Sequence, residues 1–130
     1  MRSKSRRIPE RLQDVLEAIG NAKNDIGDLT KMQFASDGKT QRAVIESLIV
    51  IGEAANNIMQ QDPGIEQLDL NLWAHLKDSY DMRIILTHEY FRVDTSVVWE
   101  TIHKDIPVLA SLIESFISTS IKAEPGSQPG

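Results

Sequence analysis

Apolar residues recur at steps of three and four from Ile8 through Leu12, Val15, Leu16, Ile19, Ala22, Ile26 and Leu29, with Arg11, Asp14, Glu17 and Lys23 between them. A step near 3.6 residues returns side chains to one face, so the segment predicts a long amphipathic helix. Ser5 to Pro9 suits its start, because proline is tolerated in a first turn where its missing N–H has no helical partner. The period is lost over Thr30–Thr40, where Ser36, Asp37 and Gly38 have the composition of a turn, and this segment reads as a connection. A second helix is predicted over Thr40–Gln60, with Val44, Leu48, Ile51, Ala55 and Ile58 along one face and Ile45, Ile49 and Met59 widening it. Gly52 stands in its middle, where glycine costs about 1 kcal/mol against alanine. Either another helix approaches closely there or the glycine is merely tolerated. Asp62-Pro63-Gly64 ends the element, and the polar loop to Asn71 offers Ile65, Leu68 and Leu70 as anchors.

Asn71 is the expected N-cap of a third helix containing Leu72, Trp73, Leu76 and Tyr80, then Arg83, Ile84, Leu86 and Thr87. Asp94 is the expected cap of a fourth region, with Val97, Val98, Ile102, Ile106, Leu109, Leu112, Ile113, Phe116 and Ile117 at helical spacing. Pro107 lacks a backbone donor and disfavours helix at the residue before it, so a kink or break is expected near Asp105. No alternating strand pattern and no internal repeat occur. The chain therefore predicts an all-α bundle of four or five helices over residues 8–121, with a basic arm at 1–7 and a flexible Pro/Gly tail at 122–130.

Composition narrows the functions such a bundle can have. With 41% hydrophobic and 25% charged residues the chain resembles an ordinary soluble domain, and no apolar run approaches the ~20 residues that cross a bilayer. Arg2, Lys4, Arg6 and Arg7 are followed by an amphipathic pattern rather than an apolar leader, so a cytoplasmic location is expected, with no membrane partner. The absence of cysteine removes thiol nucleophiles and Cys-ligated zinc. A net charge of −5 argues against a broad phosphate-binding surface, so any RNA contact has to be local. His75 and His103 lack companions at metal-ligand spacing and read as structural; neither a metal nor a cofactor is expected.

The polar residues that packing alone does not ask for are concentrated in D-M-R-I-I-L-T-H-E-Y, Asp81–Tyr90. A guanidinium binds phosphate oxygens through paired hydrogen bonds and an imidazole moves protons near neutrality, so Arg83 and His88 suit phosphodiester chemistry. The same spacing equally describes a surface arginine in a helical ion pair and a histidine at a helix C-terminus. Helical geometry adds a difficulty: at about 100° per residue, Arg83 and His88 lie about 140° apart. Either the helix loosens or ends around Thr87 and His88, or a second copy of the chain completes the site. His88 and Tyr90 share a side only if the chain there is extended. Glu46 and Glu53 on the second helix are candidates to orient Arg83 or His88, or are solvated acids.

From about Arg11 to Phe116 the chain carries, in order, L-Q-D-V-L-E-A-I, I-V-I-G-E-A-A-N, M-R-I-I-L-T-H-E-Y-F, V-D-T-S-V-V-W-E-T-I and D-I-P-V-L. In this succession it resembles the HepT toxins of the HEPN superfamily, whose members share an R-x4-6-H motif, written R-x4-H-x-Y in HepT. The resemblance implies a helical bundle that forms a homodimer, and a metal-independent endoribonuclease with its site at the dimer interface. It implies Arg83 and His88 as catalytic residues, with His88 moving protons and Arg83 facing the charge at phosphorus. It also implies an MntA-like minimal nucleotidyltransferase antitoxin that transfers AMP from ATP to Tyr90. Ile84 departs from the family pattern, in which a polar residue commonly follows the motif arginine; it brings no hydrogen bond to a ribose or phosphate. A non-catalytic module that docks the nucleotidyltransferase or a nucleotide is the alternative.

Overall fold

The computed structural model describes residues 4–123, and among these every regular element is helical. Seven α-helices follow in order: α1 Lys4–Ile26, α2 Lys31–Ala35, α3 Gly38–Gln61, α4 Ile65–Leu68, α5 Leu70–His88, α6 Thr95–Glu100 and α7 Ile106–Ala123. A 3₁₀ turn, Tyr90–Arg92, follows α5, and a π-helical stretch, Thr101–Asp105, joins α6 to α7. The four long helices α1, α3, α5 and α7 form the bundle, and the all-α expectation holds. Residues 1–3 of the basic arm and 124–130 of the tail lie outside the described residues; Lys4 already belongs to α1 and Ala123 still belongs to α7.

The core follows the periodic positions. Leu12, Val15, Ile19, Ala22 and Ile26 of α1 face Val44, Leu48, Ile51, Ala55 and Ile58 of α3, and Leu72, Leu76 and Leu86 of α5 close the other side; all are buried. Helix α3 is thus the central rod, packed against α1 and α5. Helix α1 ends at Gly27, whose φ of +54° is the left-handed conformation that closes a helix, its N–H donating to the Lys23 carbonyl.

Three local expectations are corrected, and the fourth, the disturbance near Asp105, is present as a π-helical join. The Thr30–Thr40 connection contains α2, capped by a reciprocal Thr30–Gln33 box that drives Phe34 into the core against Trp99, ring centroids 5.5 Å apart. Of the three loop anchors only Ile65 is buried; Leu68, the last residue of α4, and Leu70, the first of α5, are exposed. The cap of α5 is Asp69, whose carboxylate accepts from the Leu72 N–H at 3.0 Å, while Asn71 already lies inside the first turn. Pro107 produces a change of helical register: the Ile106 N–H reaches back five residues to the Thr101 carbonyl, and α7 then starts with proline in its first turn. Across this join Glu100 holds Lys104 at 2.9 Å and Lys31 at 3.4 Å, and the hydrogen bond from Lys104, then that from Lys31, keeps its carboxyl below the usual range.

Candidate functional site

Helix α5 remains hydrogen-bonded through His88, and its last turn is closed by the Glu89 N–H donating to the Ile85 carbonyl at 2.9 Å. The helix therefore stays regular up to His88 and ends there. Arg83 and His88 keep the separation of about 140° that ideal geometry gives them.

Arg83 is the inward member of the motif. Its backbone crosses α3 at Gly52, where an added Cβ would meet the Arg83 Cβ, the Ser79 carbonyl oxygen at 2.6 Å and the Arg83 Cγ at 3.1 Å. The glycine is required by this close approach, so the tolerated-glycine alternative is set aside. From this seat Arg83 Nε comes within 3.1 Å of Glu53 Oε1. The contact is one of charge, since Nε is shielded from solvent yet has no properly directed hydrogen bond. The rest of the side chain stays open, 31% exposed. Glu53 is thus brought to Arg83; exposed Glu46 forms no hydrogen bond or ion pair with Arg83 or His88.

His88 is the outward member, exposed in the last turn of α5. Its Nδ1 lies 2.8 Å from the Ile84 carbonyl oxygen. A carbonyl only accepts, so Nδ1 carries a proton, and Nε2 makes no hydrogen bond within the described residues. Thr87, on the Arg83 face, spends its hydroxyl on the Arg83 and Ile84 carbonyls. The Nδ1 pattern is not peculiar to His88: His75 makes the same bond to Asn71 and His103 to Trp99, and His103 also stacks on Trp99 at 3.9 Å.

Beyond His88 the chain is not extended. Glu89 turns the corner at φ −123° and ψ 38°, and Tyr90–Arg92 form the 3₁₀ turn. His88 and Tyr90 nonetheless line one open groove with Thr87, Glu89, Phe91 and Arg92. Tyr90 is 42% exposed and meets Phe91 edge to face, centroids 5.3 Å apart at 87°. Phe91 is 96% exposed. Its exposure was not readable from the sequence, where an aromatic after a helix passes for a core residue. Among the described residues no helix is long and apolar enough to cross a membrane.

Chemically, the chain offers a restrained guanidinium, an imidazole whose Nδ1 is engaged by the backbone, and an accessible phenol beside it, on two faces of one helix end. A family model described as "Ribonuclease HepT-like" matches residues 15–116. The chain is 35% identical over 104 residues to a protein of Thermococcus cleftensis named "Probable ribonuclease HepT", covering 79% of this chain and 89% of the relative. It is 33% identical over 107 residues to a "Putative RNase" of Methanocaldococcus jannaschii, covering 82% and 84% of the two chains. A third relative, a "Putative RNase" of Caldanaerobacter subterraneus, is 36% identical over 84 residues, 65% of this chain and 70% of its own. No solved structure gives a significant match.

Proposed function

The chain belongs to the HepT-like ribonuclease family, and from that premise we propose that it is the toxin of a toxin–antitoxin pair, an endoribonuclease that cuts RNA without a metal between two copies of the chain. The observation that carries this reading is the division of the motif along α5. Arg83 is fixed against α3 by Gly52 and Glu53, while His88 stands at the open helix end with Nε2 free. One copy offers the two groups in different directions; a two-fold dimer brings the faces of two copies together.

In such a cleft the RNA 2′-hydroxyl gives its proton to an imidazole and bonds to the adjacent phosphorus. The bond from phosphorus to the 5′-oxygen breaks, and that oxygen leaves with a proton from an imidazolium. The products are a 2′,3′-cyclic phosphate and a 5′-hydroxyl. His88 moves the protons and Arg83 faces the charge that builds on the phosphoryl oxygens. The expected result is cleavage of single-stranded RNA by the purified, unmodified protein in excess chelator, with cyclic-phosphate ends and no cleavage at a nucleotide whose 2′-hydroxyl is replaced by hydrogen. Cleavage abolished by chelator, or insensitive to the 2′-deoxy substitution, contradicts the chemistry.

The antitoxin in this reading is an MntA-like nucleotidyltransferase that transfers AMP from ATP to Tyr90. The phenol hydroxyl attacks the α-phosphorus and pyrophosphate leaves. The adduct places a bulky anion in the groove that holds His88, where it repels the RNA backbone and fills space. Intact mass spectrometry after co-expression with the nucleotidyltransferase is expected to show one or more AMP-sized additions, mapped to Tyr90 and lost in Tyr90→Phe. Modification of the same peptide in Tyr90→Phe would move the acceptor elsewhere.

A second reading, a non-catalytic module that docks the nucleotidyltransferase or a nucleotide, is favoured by Ile84. It is half-buried and apolar directly after Arg83, and its carbonyl is already engaged by Thr87 and His88. Under this reading His88→Ala keeps full growth inhibition.

A further inference from the structure

The groove at the end of α5 has one feature that proton transfer and modification do not use. Phe91 is almost wholly in solvent, next to Arg92 and three residues after His88, although burying a side chain of its size contributes about 1.5–3 kcal/mol. Its position is defined rather than loose. The 3₁₀ turn that carries it is closed by the Arg92 N–H donating to the Glu89 carbonyl at 2.8 Å, and its ring sits against the ring of Tyr90.

What surrounds the ring selects the kind of partner. His88, Glu89 and Arg92 put ionisable groups among the six residues that line the groove, whereas the centre of a protein–protein contact is depleted in charge. An open π-face beside a guanidinium is how proteins hold unpaired nucleotides, the base on the ring and the phosphate on the cation. With 19 acids against 14 Lys and Arg the overall charge is −5, which weakens any gathering of a phosphate backbone, so stacking carries a larger share of affinity than in a basic protein.

We propose that Phe91 is a stacking platform for a nucleobase of single-stranded RNA adjoining the scissile phosphate, with Arg92 against the phosphate of the same nucleotide. The proposal rests on the ribonuclease reading and adds to it a binding subsite outside Arg83, His88 and Tyr90. It gives the enzyme a preference for unpaired RNA, because a paired base offers its face only to its neighbours in the helix.

The test uses the full, unmodified chain and a fluorescent 2′-O-methyl oligonucleotide, which binds but cannot be cut, with affinity read by anisotropy. Phe91→Ala is expected to weaken binding about tenfold or more, Phe91→Leu to lose as much although it keeps apolar bulk, and Phe91→Trp to bind at least as tightly as wild type. KM for cleavage of the 2′-hydroxyl RNA rises in parallel, and the mass by light scattering stays that of wild type. Equal affinity for wild type, Phe91→Ala and Phe91→Leu overturns the proposal. So does a fall in assembly mass with unchanged RNA affinity per assembled molecule, which would show Phe91 to be packed against a second copy. If wild type neither binds nor cuts RNA, the ribonuclease reading fails first and the platform with it; if wild type does both, only the Phe91 series decides.

Discussion

Replacing His88 by alanine is expected to lower the RNA cleavage rate by about 10²–10⁴-fold, the range that one positioned acid–base group contributes. The effect falls on chemistry alone. His88 is exposed at the last turn of α5, and its one hydrogen bond goes to the Ile84 carbonyl, which also accepts from Thr87. The thermal midpoint and circular dichroism should therefore stay close to wild type. A heterodimer with one His88→Ala copy separates the two-copy arrangement from independent sites. If the two imidazoles serve one cleft, as base and as acid, its activity falls far below half; independent sites leave about half. Arg83→Ala is a less clean probe because the arginine stem packs on Gly52. Arg83→Lys keeps the charge and loses the planar fork, and is expected to lose most activity with little loss of fold.

The regularity of α5 was the part of the site that the sequence could not decide. Periodicity gives a face but not the residue at which a helix stops, and here the stop falls at His88 itself, the last residue of α5. Long helices were legible because α1 and α3 repeat their apolar positions over many turns. Short ones were not, since α2 and α4 have one buried side chain each, Phe34 and Ile65, and one residue has no period. The cap at Asp69 was hidden by Asn71, an equally good capping type two residues later; the loop geometry made the choice. Pro107 announced a disturbance without its form, because a missing donor can be met by a kink, a break or an added residue per turn, and the chain takes the last. Gly52 was visible as a small residue among Ile51, Glu53, Ala54 and Ala55, but that its neighbour is the motif arginine depends on the register of α3 against α5.

That register makes Gly52→Ala the substitution with the largest expected effect on the fold. In an isolated helix the change gains about 1 kcal/mol. Here the new methyl would overlap the Arg83 Cβ and sit 2.6 Å from the Ser79 carbonyl oxygen, and neither is the end of a flexible side chain. The two helices have to part, and they form one of the main interfaces of the bundle. Overpacking of this kind costs about 1–3 kcal/mol and occasionally more, and a domain of this size loses roughly 4 °C of thermal midpoint per kcal/mol. Gly20→Ala supplies the opposite sign. Gly20 lies inside α1 with nothing within 4 Å of an added Cβ, so the same chemical change is expected to raise the midpoint by the helix-propensity gain. A lower midpoint for Gly52→Ala beside a higher one for Gly20→Ala, both read by calorimetry, isolates the α3–α5 approach as the cause; equal stabilisation in both would mean that the helices do not meet at Gly52. Activity carries the second half of the argument. Parting the helices moves Arg83 away from Glu53, so whatever Gly52→Ala remains folded should cleave RNA more slowly, and Gly20→Ala should cleave at the wild-type rate.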